Sequence, residues 1–78
     1  MSVAARLHLR TQGDKGPGSY LEWSQKSWRW FKDSGMINSK NLVNDGLDGS
    51  CKNNGKSIWT YNQGVILGGL VDLYKATN

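Results

Sequence analysis

The chain has 78 residues, with ten glycines and a single proline, which allows one small domain rich in turns. Its ten lysines and arginines exceed its six acidic residues by four, but they are scattered along the sequence. Scattered charge argues against a nucleic-acid or membrane-surface patch. One cysteine and one histidine exclude an intrachain disulfide and a His/Cys metal site. We therefore expect no metal, no cofactor, and neither nucleic acid nor membrane as partner.

The first predicted element is a short helix from about Ser2 to Thr11, with Arg6 and Arg10 spaced by four residues. It lacks the charged start and apolar run of a secretory signal, so the sequence does not fix a location. Turn residues follow from Gln12 to Gly18. These patterns predict a helix, then a turn into a second helix.

The second helix is predicted from Ser19, which forms a capping box with Glu22, to Gly35, which suits a left-handed C-terminal position. Opposite charges four residues apart define a solvent-facing stripe, namely Glu22 with Lys26 and Arg29 with Asp33. The other half carries Tyr20, Leu21, Trp23, Trp28, Trp30 and Phe31. On an amphipathic helix, tryptophans are more typical of a core than of a ligand surface. The pattern therefore predicts an outer helix with one wet face.

A long connection from Met36 to Ile58 is dense in turn dipeptides. Within it, Leu42–Val43 and Ile58–Trp59 could pair as two short strands. Loops of more than about twenty residues are uncommon in compact domains and are often functional. This segment is therefore the first place to look for a site.

The last helix is predicted from Thr60, with Gln63 completing a second capping box, to about Ala76. Apolar side chains surround it almost completely, which indicates an inner helix covered by other elements. Three glycines inside it, Gly64, Gly68 and Gly69, favour close approach of another backbone. Two helices cannot enclose a third, so in a monomer part of the set Ile66, Leu67, Leu70, Leu73 and Tyr74 should stay uncovered.

The start of this helix also carries a recognisable motif, Trp59-Thr60-Tyr61-Asn62-Gln63-Gly64 followed by Val65-Ile66-Leu67-Gly68-Gly69-Leu70. It resembles the signature of glycoside hydrolase family 76, the endo-α-1,6-mannanases and their fungal cell-wall relatives. The loop Leu42-Val43-Asn44-Asp45-Gly46-Leu47 and the aromatic helix before it resemble the same family. The resemblance covers essentially the whole chain.

The resemblance implies an all-α fold, namely a fragment of an (α/α)6 barrel with about three helices. Residues 1–78 would form one and a half of its helical hairpins. The family hydrolyses α-1,6-mannan with retention, using two adjacent aspartates, and its members are typically secreted or associated with the cell wall. No two acidic residues are adjacent here, so we expect no catalytic residue in the chain and no activity from it alone. Whether the chain is an excised piece or a truncated gene stays open.

By resemblance, Asp45, Trp59, Tyr61 and Asn62 face the substrate cleft. Asp45 could accept hydrogen bonds from sugar hydroxyls, or could simply belong to an Asp–Gly turn. Trp59 and Tyr61 could form a platform under a sugar ring, or a hydrophobic lock around the helix start. Asp48 is expected to serve only its turn.

These features leave three function hypotheses. The first is an inactive fragment of a mannan-processing enzyme. The second is a small carbohydrate-binding protein derived from the family. The third is a self-associating helical protein, whose partner would be a second copy or the missing remainder of the barrel.

Overall fold

The computed structural model describes residues 1–78 and contains three helices: α1 (Ser2–Arg10), α2 (Tyr20–Asp33) and α3 (Thr60–Thr77). The long connection between α2 and α3 holds two isolated β-bridges and no strand. The predicted all-α fold, with three helices and a turn-rich loop before the last, is confirmed.

Helix α2 begins at a side-chain cap and ends before a glycine, as predicted, with one difference in the capping contacts. The hydroxyl of Ser19 accepts a hydrogen bond from the N–H of Glu22 at 3.1 Å. The Glu22 carboxylate reaches back to the N–H of Gly18 instead of that of Ser19, and it also pairs with Lys26 at 3.2 Å. The N–H of Gly18 and then Lys26 lower the pKa of Glu22 below its usual value. Gly35 follows the helix with φ of +82°, the left-handed geometry that glycine adopts without strain.

Asp14 ties the turn before α2 to both neighbouring helices. Its carboxylate accepts the N–H groups of Tyr20 and Leu21 at 2.9 and 3.1 Å, which are unpaired donors of the first helical turn. It also lies 2.7 Å from Nδ1 of His8 in α1. Partial burial raises the pKa of Asp14, but the hydrogen bonds from Tyr20, His8 and Leu21 outweigh it and the net pKa is lowered. The chain's single histidine is therefore a structural partner of a helix cap.

Met1 lies where the three helices meet. Its carbonyl accepts a hydrogen bond from the fully buried hydroxyl of Ser24, and its side chain lies against Gly69. A β-carbon at Gly69 would press against the Met1 methyl group, so a larger residue there would require the flexible Met1 side chain to move. A β-carbon at Gly64 or Gly68 would meet nothing within 4 Å. One of the three glycines thus permits a close approach, and its neighbour is a side chain instead of the predicted backbone.

The carboxylate of Asp72 joins α3 to α1. The hydroxyl of Ser2 and the guanidinium of Arg6 both donate to it, the latter at 3.1 Å. These contacts, with the Ser2 hydrogen bond as the main cause, lower the pKa of Asp72 below its usual value. The Asp72 side chain is largely buried, so this pairing fixes how far α1 is shifted along α3.

The outer surface of α2 differs from the sequence prediction. Trp23 and Trp30 are 57% and 59% exposed, so neither is a core residue of this chain. Trp28 is half-buried and stacks against Phe31 with ring centroids 6.4 Å apart. The predicted ion pair between Arg29 and Asp33 is not among the three that form. The prediction that Trp23 and Trp30 are core residues failed because few elements of this chain pack against α2.

One half of α3 is uncovered, as the sequence predicted. Leu73 and Ala76 are buried, and Ile66 and Leu70 are half-buried. The exposed half, here called the open face of α3, carries Gly64, Val65, Leu67, Gly68, Val71 and Tyr74. Only eight of the 78 residues are buried, so this helix has far more apolar surface than the chain can cover.

The loop between α2 and α3 is built from two equivalent turns, turn 1 (residues 36–44) and turn 2 (residues 46–54). Ile37 bridges Val43 in turn 1, and Leu47 bridges Asn53 in turn 2. Each residue of the second bridge lies ten positions after its equivalent in the first. The predicted pairing of Leu42–Val43 with Ile58–Trp59 is therefore wrong. Each bridge closes a loop of only a few residues, and closing a short loop costs less conformational entropy than pairing Val43 with Ile58 would.

Equivalent side chains organise the two turns. In turn 1 the carboxamide oxygen of Asn38 accepts two loop N–H groups, at 2.8 and 3.1 Å. In turn 2 a carboxylate oxygen of Asp48 accepts the corresponding two at the same distances. Asp48 thus serves its turn, as predicted. The third residue after each, Asn41 and Cys51, has a left-handed backbone with φ of 62° and 59°.

Because the two turns are equivalent, exchanging the residue types at positions 41 and 51 should change the stability of the chain in opposite directions. Asparagine tolerates this geometry better than cysteine. We expect Cys51→Asn to raise the free energy of unfolding by roughly 0.5–1 kcal/mol and Asn41→Cys to lower it by a similar amount. Urea unfolding followed by circular dichroism measures both. Equal stabilities of the two variants would contradict the equivalence of the turns.

Candidate functional site

A pocket of about 300 Å³ lies between the loop, the start of α1 and the first half of α3. Asp45 and Asn62, two of the four predicted substrate-binding residues, both line it. Its other walls are mostly apolar and are formed by Met1, Ser2, Phe31, Met36, Val43, Asn44, Val65, Ile66 and Gly69. A mainly apolar hollow with a few converging polar groups is typical of a small-molecule site.

Asp45 stands directly after turn 1 and is exposed. Its Oδ1 accepts a hydrogen bond from the indole Nε1–H of Trp59 at 3.0 Å. This contact joins the loop to the start of α3 and directs the carboxylate toward the helix. Of its two oxygens, Oδ2 is not used by the indole and has lone pairs for a ligand hydroxyl.

Trp59 and Tyr61, the other two predicted residues, are adjacent to each other but do not line the pocket. Their ring centroids are 6.4 Å apart and their planes are tilted by 32°. Trp59 is 48% exposed and Tyr61 is 64% exposed, so neither is locked into a core. Tilted rings do not make one flat platform, and each ring presents its own face to a ligand.

Gln63 fastens the loop to α3. Its amide oxygen accepts the N–H of Val43 at 2.7 Å, and its amide nitrogen donates to the carbonyls of Val43 and Trp59 at 2.9 and 2.8 Å. The predicted capping box with Thr60 is therefore wrong: the N-cap residue is Trp59, and it makes no side-chain cap hydrogen bond. Because the Gln63 amide is engaged by Val43 and Trp59, Asn62 is the free amide that lines the pocket.

Asn44 is a central residue of the site that the sequence analysis missed. Its side chain is buried, with only 6% exposed. Its oxygen accepts amide N–H groups from Asn38 and Asn53, both at 2.9 Å, and its nitrogen donates to the carbonyl of Lys56 at 2.7 Å. The ten-residue spacing of Asn38 and Asp48 was a detectable signal of the two turns, but no local pattern shows that Asn44 joins them.

The six acidic residues are used singly. Asp14, Glu22 and Asp72 hold helices, Asp48 organises turn 2, Asp45 meets Trp59, and Asp33 lies exposed at the end of α2. Retaining glycoside hydrolysis needs two carboxyl groups flanking one bond, about 5–5.5 Å apart. The pocket offers one carboxylate and one free amide, those of Asp45 and Asn62, and both can hydrogen-bond with hydroxyl groups.

No three or more His, Cys, Asp or Glu side chains are grouped so that they could hold a metal ion. None of the three helices combines the length and the apolar character needed to cross a membrane.

Comparisons with known proteins agree with the pattern at the start of α3. The chain is 40% identical over 80 residues to mannan endo-1,6-alpha-mannosidase DFG5 of Saccharomyces cerevisiae, which covers 97% of this chain and 17% of that protein. It is 37% identical over 79 residues to mannan endo-1,6-alpha-mannosidase DCW1 of Candida albicans, again covering 96% of this chain and 17% of the relative. The DCW1 protein of Eremothecium gossypii is 36% identical over 81 residues, with the same coverage.

The chain therefore spans about one sixth of the length of these relatives. No solved structure matches it. The sequence profile described as glycosyl hydrolase family 76 matches residues 1–78. The whole length of the chain is thus accounted for by one family, and the chain belongs to glycosyl hydrolase family 76.

Proposed function

We propose that residues 1–78 form one and a half helical hairpins of a barrel that hydrolyses α-1,6-mannan, and that they supply part of its substrate-binding cleft. Asp45 and Asn62 would hydrogen-bond sugar hydroxyls, while Trp59 and Tyr61 would each offer an aromatic face to a sugar ring. The names of the relatives, mannan endo-1,6-alpha-mannosidases, support mannan as the substrate.

One observation carries this proposal. Asp45 and Asn62 are separated by the whole of turn 2 and the start of α3, yet they line the same pocket. The pocket lining combines apolar side chains with the polar groups of Asp45 and Asn62. Recognition of a sugar requires both, because a sugar has C–H faces and hydroxyl edges. Both residues also lie in the segments that carry the family resemblance.

Catalysis would come from residues that this chain does not contain. The resemblance implies two adjacent aspartates, and the pocket presents only one carboxylate, that of Asp45. We propose that this chain orients mannan in the cleft and that the acid and the nucleophile belong to other parts of a family 76 barrel.

Binding of the isolated chain to α-1,6-linked mannose oligosaccharides tests the proposal. Tryptophan fluorescence should change on titration, because the indole of Trp59 is bonded to a carboxylate at the pocket. We expect Asp45→Ala to weaken binding roughly ten- to a hundredfold, since a hydrogen bond to a charged group contributes roughly 1.5–3 kcal/mol. Trp59→Ala should also weaken it, because that change removes an aromatic face and the indole that holds Asp45.

The matched control is Asp33→Ala, which removes an exposed carboxylate at the C-terminal end of α2 that does not line the pocket. It should leave the affinity unchanged. If the wild-type chain bound no sugar at millimolar concentration, the carbohydrate-binding alternative would be excluded and the cleft role would have to be tested in a full-length barrel. Equal weakening by Asp33→Ala would contradict the assignment of the pocket.

A second proposal concerns partners, and the open face of α3 favours it. A contiguous apolar face of this kind on a soluble chain usually marks an interface. We propose that further helices cover it. In a longer protein these would be helices of the same barrel, and for the chain alone they would come from a second copy, which is the self-associating alternative.

A further inference from the structure

We infer that Asn44 is the positioning residue of the pocket: its buried amide joins turn 1, turn 2 and the end of the loop at the residue that immediately precedes Asp45. This inference rests on the proposed function in so far as Asp45 is taken to contact the sugar. Asn44 itself would act through Asp45, by fixing where the backbone presents that carboxylate.

The hydrogen bonds of Asn44 connect all parts of the loop. Asn38 belongs to turn 1, Asn53 to turn 2, and Lys56 to the segment that leads into α3. Asn53 in addition donates to the carbonyl of Gly35, just after α2, at 2.9 Å. The buried side chain of Asn44 thus links both turns and the approach to α3, and Asn53 extends the network to the end of α2.

The chemistry of the amide makes this position specific. Both lone pairs of the Asn44 oxygen are used by the amides of Asn38 and Asn53, and its nitrogen faces the carbonyl of Lys56. Aspartate has the same shape but no N–H donor, so it would place an oxygen against the Lys56 carbonyl. A buried acceptor without its donor is costly, and the loop should shift to relieve it.

Asp45 is held at only two points, which makes it sensitive to such a shift. Its backbone follows Asn44, whose own N–H donates to the carbonyl of Met36 at 3.1 Å, and its carboxylate meets the indole of Trp59. Asn78 offers a control asparagine outside the loop, because its side chain bonds only the carbonyl of Tyr74 at the end of α3, at 3.0 Å.

The hydrogen bond from Trp59 to Asp45 gives a readout that does not need a sugar. In a ¹H–¹⁵N spectrum of the full chain, the indole N–H resonance of Trp59 can be assigned by its loss in Trp59→Phe. We expect Asn44→Asp to shift this resonance toward the position it takes in Asp45→Asn. Asn53→Ala, which removes one of the three bonds of Asn44, should shift it in the same direction by less.

Asn78→Ala should leave the Trp59 indole resonance in place and the mannose-oligosaccharide affinity within twofold of wild type. Asn44→Asp should weaken that affinity about as much as Asp45→Ala. An unshifted indole resonance in Asn53→Ala or in folded Asn44→Asp would overturn the inference. So would an equal shift in Asn78→Ala. If Asn44→Asp does not fold, Asn53→Ala decides. A shifted indole in a chain that binds no sugar would support the positioning of Asp45 while the proposed function failed.

Discussion

Incubated with α-1,6-mannan, the isolated chain is expected to release no reducing sugar above a blank. Retaining hydrolysis requires one carboxylate to attack the anomeric carbon and a second to protonate the leaving oxygen. The pocket presents Asp45 alone, and the other five acidic residues are held in caps, a turn and a helix surface. General acid–base catalysis alone contributes roughly 10²–10⁴-fold to the rate of such a reaction. Without it and without a nucleophile, hydrolysis by the chain should be too slow to detect.

The control for this assay is a family 76 enzyme of full length, which should release reducing sugar under the same conditions. Turnover by the isolated chain that disappears in Asp45→Ala or Asp48→Ala would show that the loop has catalytic chemistry of its own. That result would remove the basis for assigning catalysis to other parts of a barrel.

In sedimentation experiments the chain is expected to associate as its concentration rises, with the open face of α3 at the contact. Gly64 and Gly68 have open space above them, and Leu67 is 62% exposed, so another helix can approach closely. A symmetric dimer is the simplest closed arrangement, because one patch then covers itself. Leu67→Lys should shift the population to monomer by placing a charge in the interface.

Leu70→Lys is expected to do more than split a dimer. Leu70 lines a hollow together with Trp28 and Ile37, so a charge there should also destabilise the fold. Gln12→Lys adds the same charge in an exposed turn and should change neither association nor stability. A wild-type chain that sediments as a monomer at every concentration, with a well-dispersed spectrum, would contradict the prediction.

The candidate site was predictable in part. The family resemblance of the loop and of the start of α3 singled out Asp45, Trp59, Tyr61 and Asn62. The structure places Asp45 and Asn62 on one pocket and Trp59 in contact with Asp45. The sequence did not reveal that the Gln63 amide forms hydrogen bonds with the backbone N–H and carbonyl of Val43, because a side-chain amide can pair with any nearby backbone group. A capping box was therefore the nearest local explanation for Gln63, and it was wrong.

The exposure of the helices shows a different limit. Helical periodicity correctly marked which half of α2 is apolar, but it assigned Trp23 and Trp30 to a core. Periodicity describes which side chains share a face, whereas burial depends on what packs against that face. In this chain few elements reach the outside of α2 or the open face of α3.

The sequence by itself determined the three helices, their order and the limits of α2, because these depend on contacts between residues three or four apart. The Ser19 cap and Gly35 are examples, and each is confirmed in the structure. Only the tertiary structure decided that Asn44 unites two repeated turns and that Asp45 meets Trp59. These contacts join residues six to fourteen positions apart. Which amide or indole meets which acceptor depends on how the whole loop closes, and no local pattern specifies that.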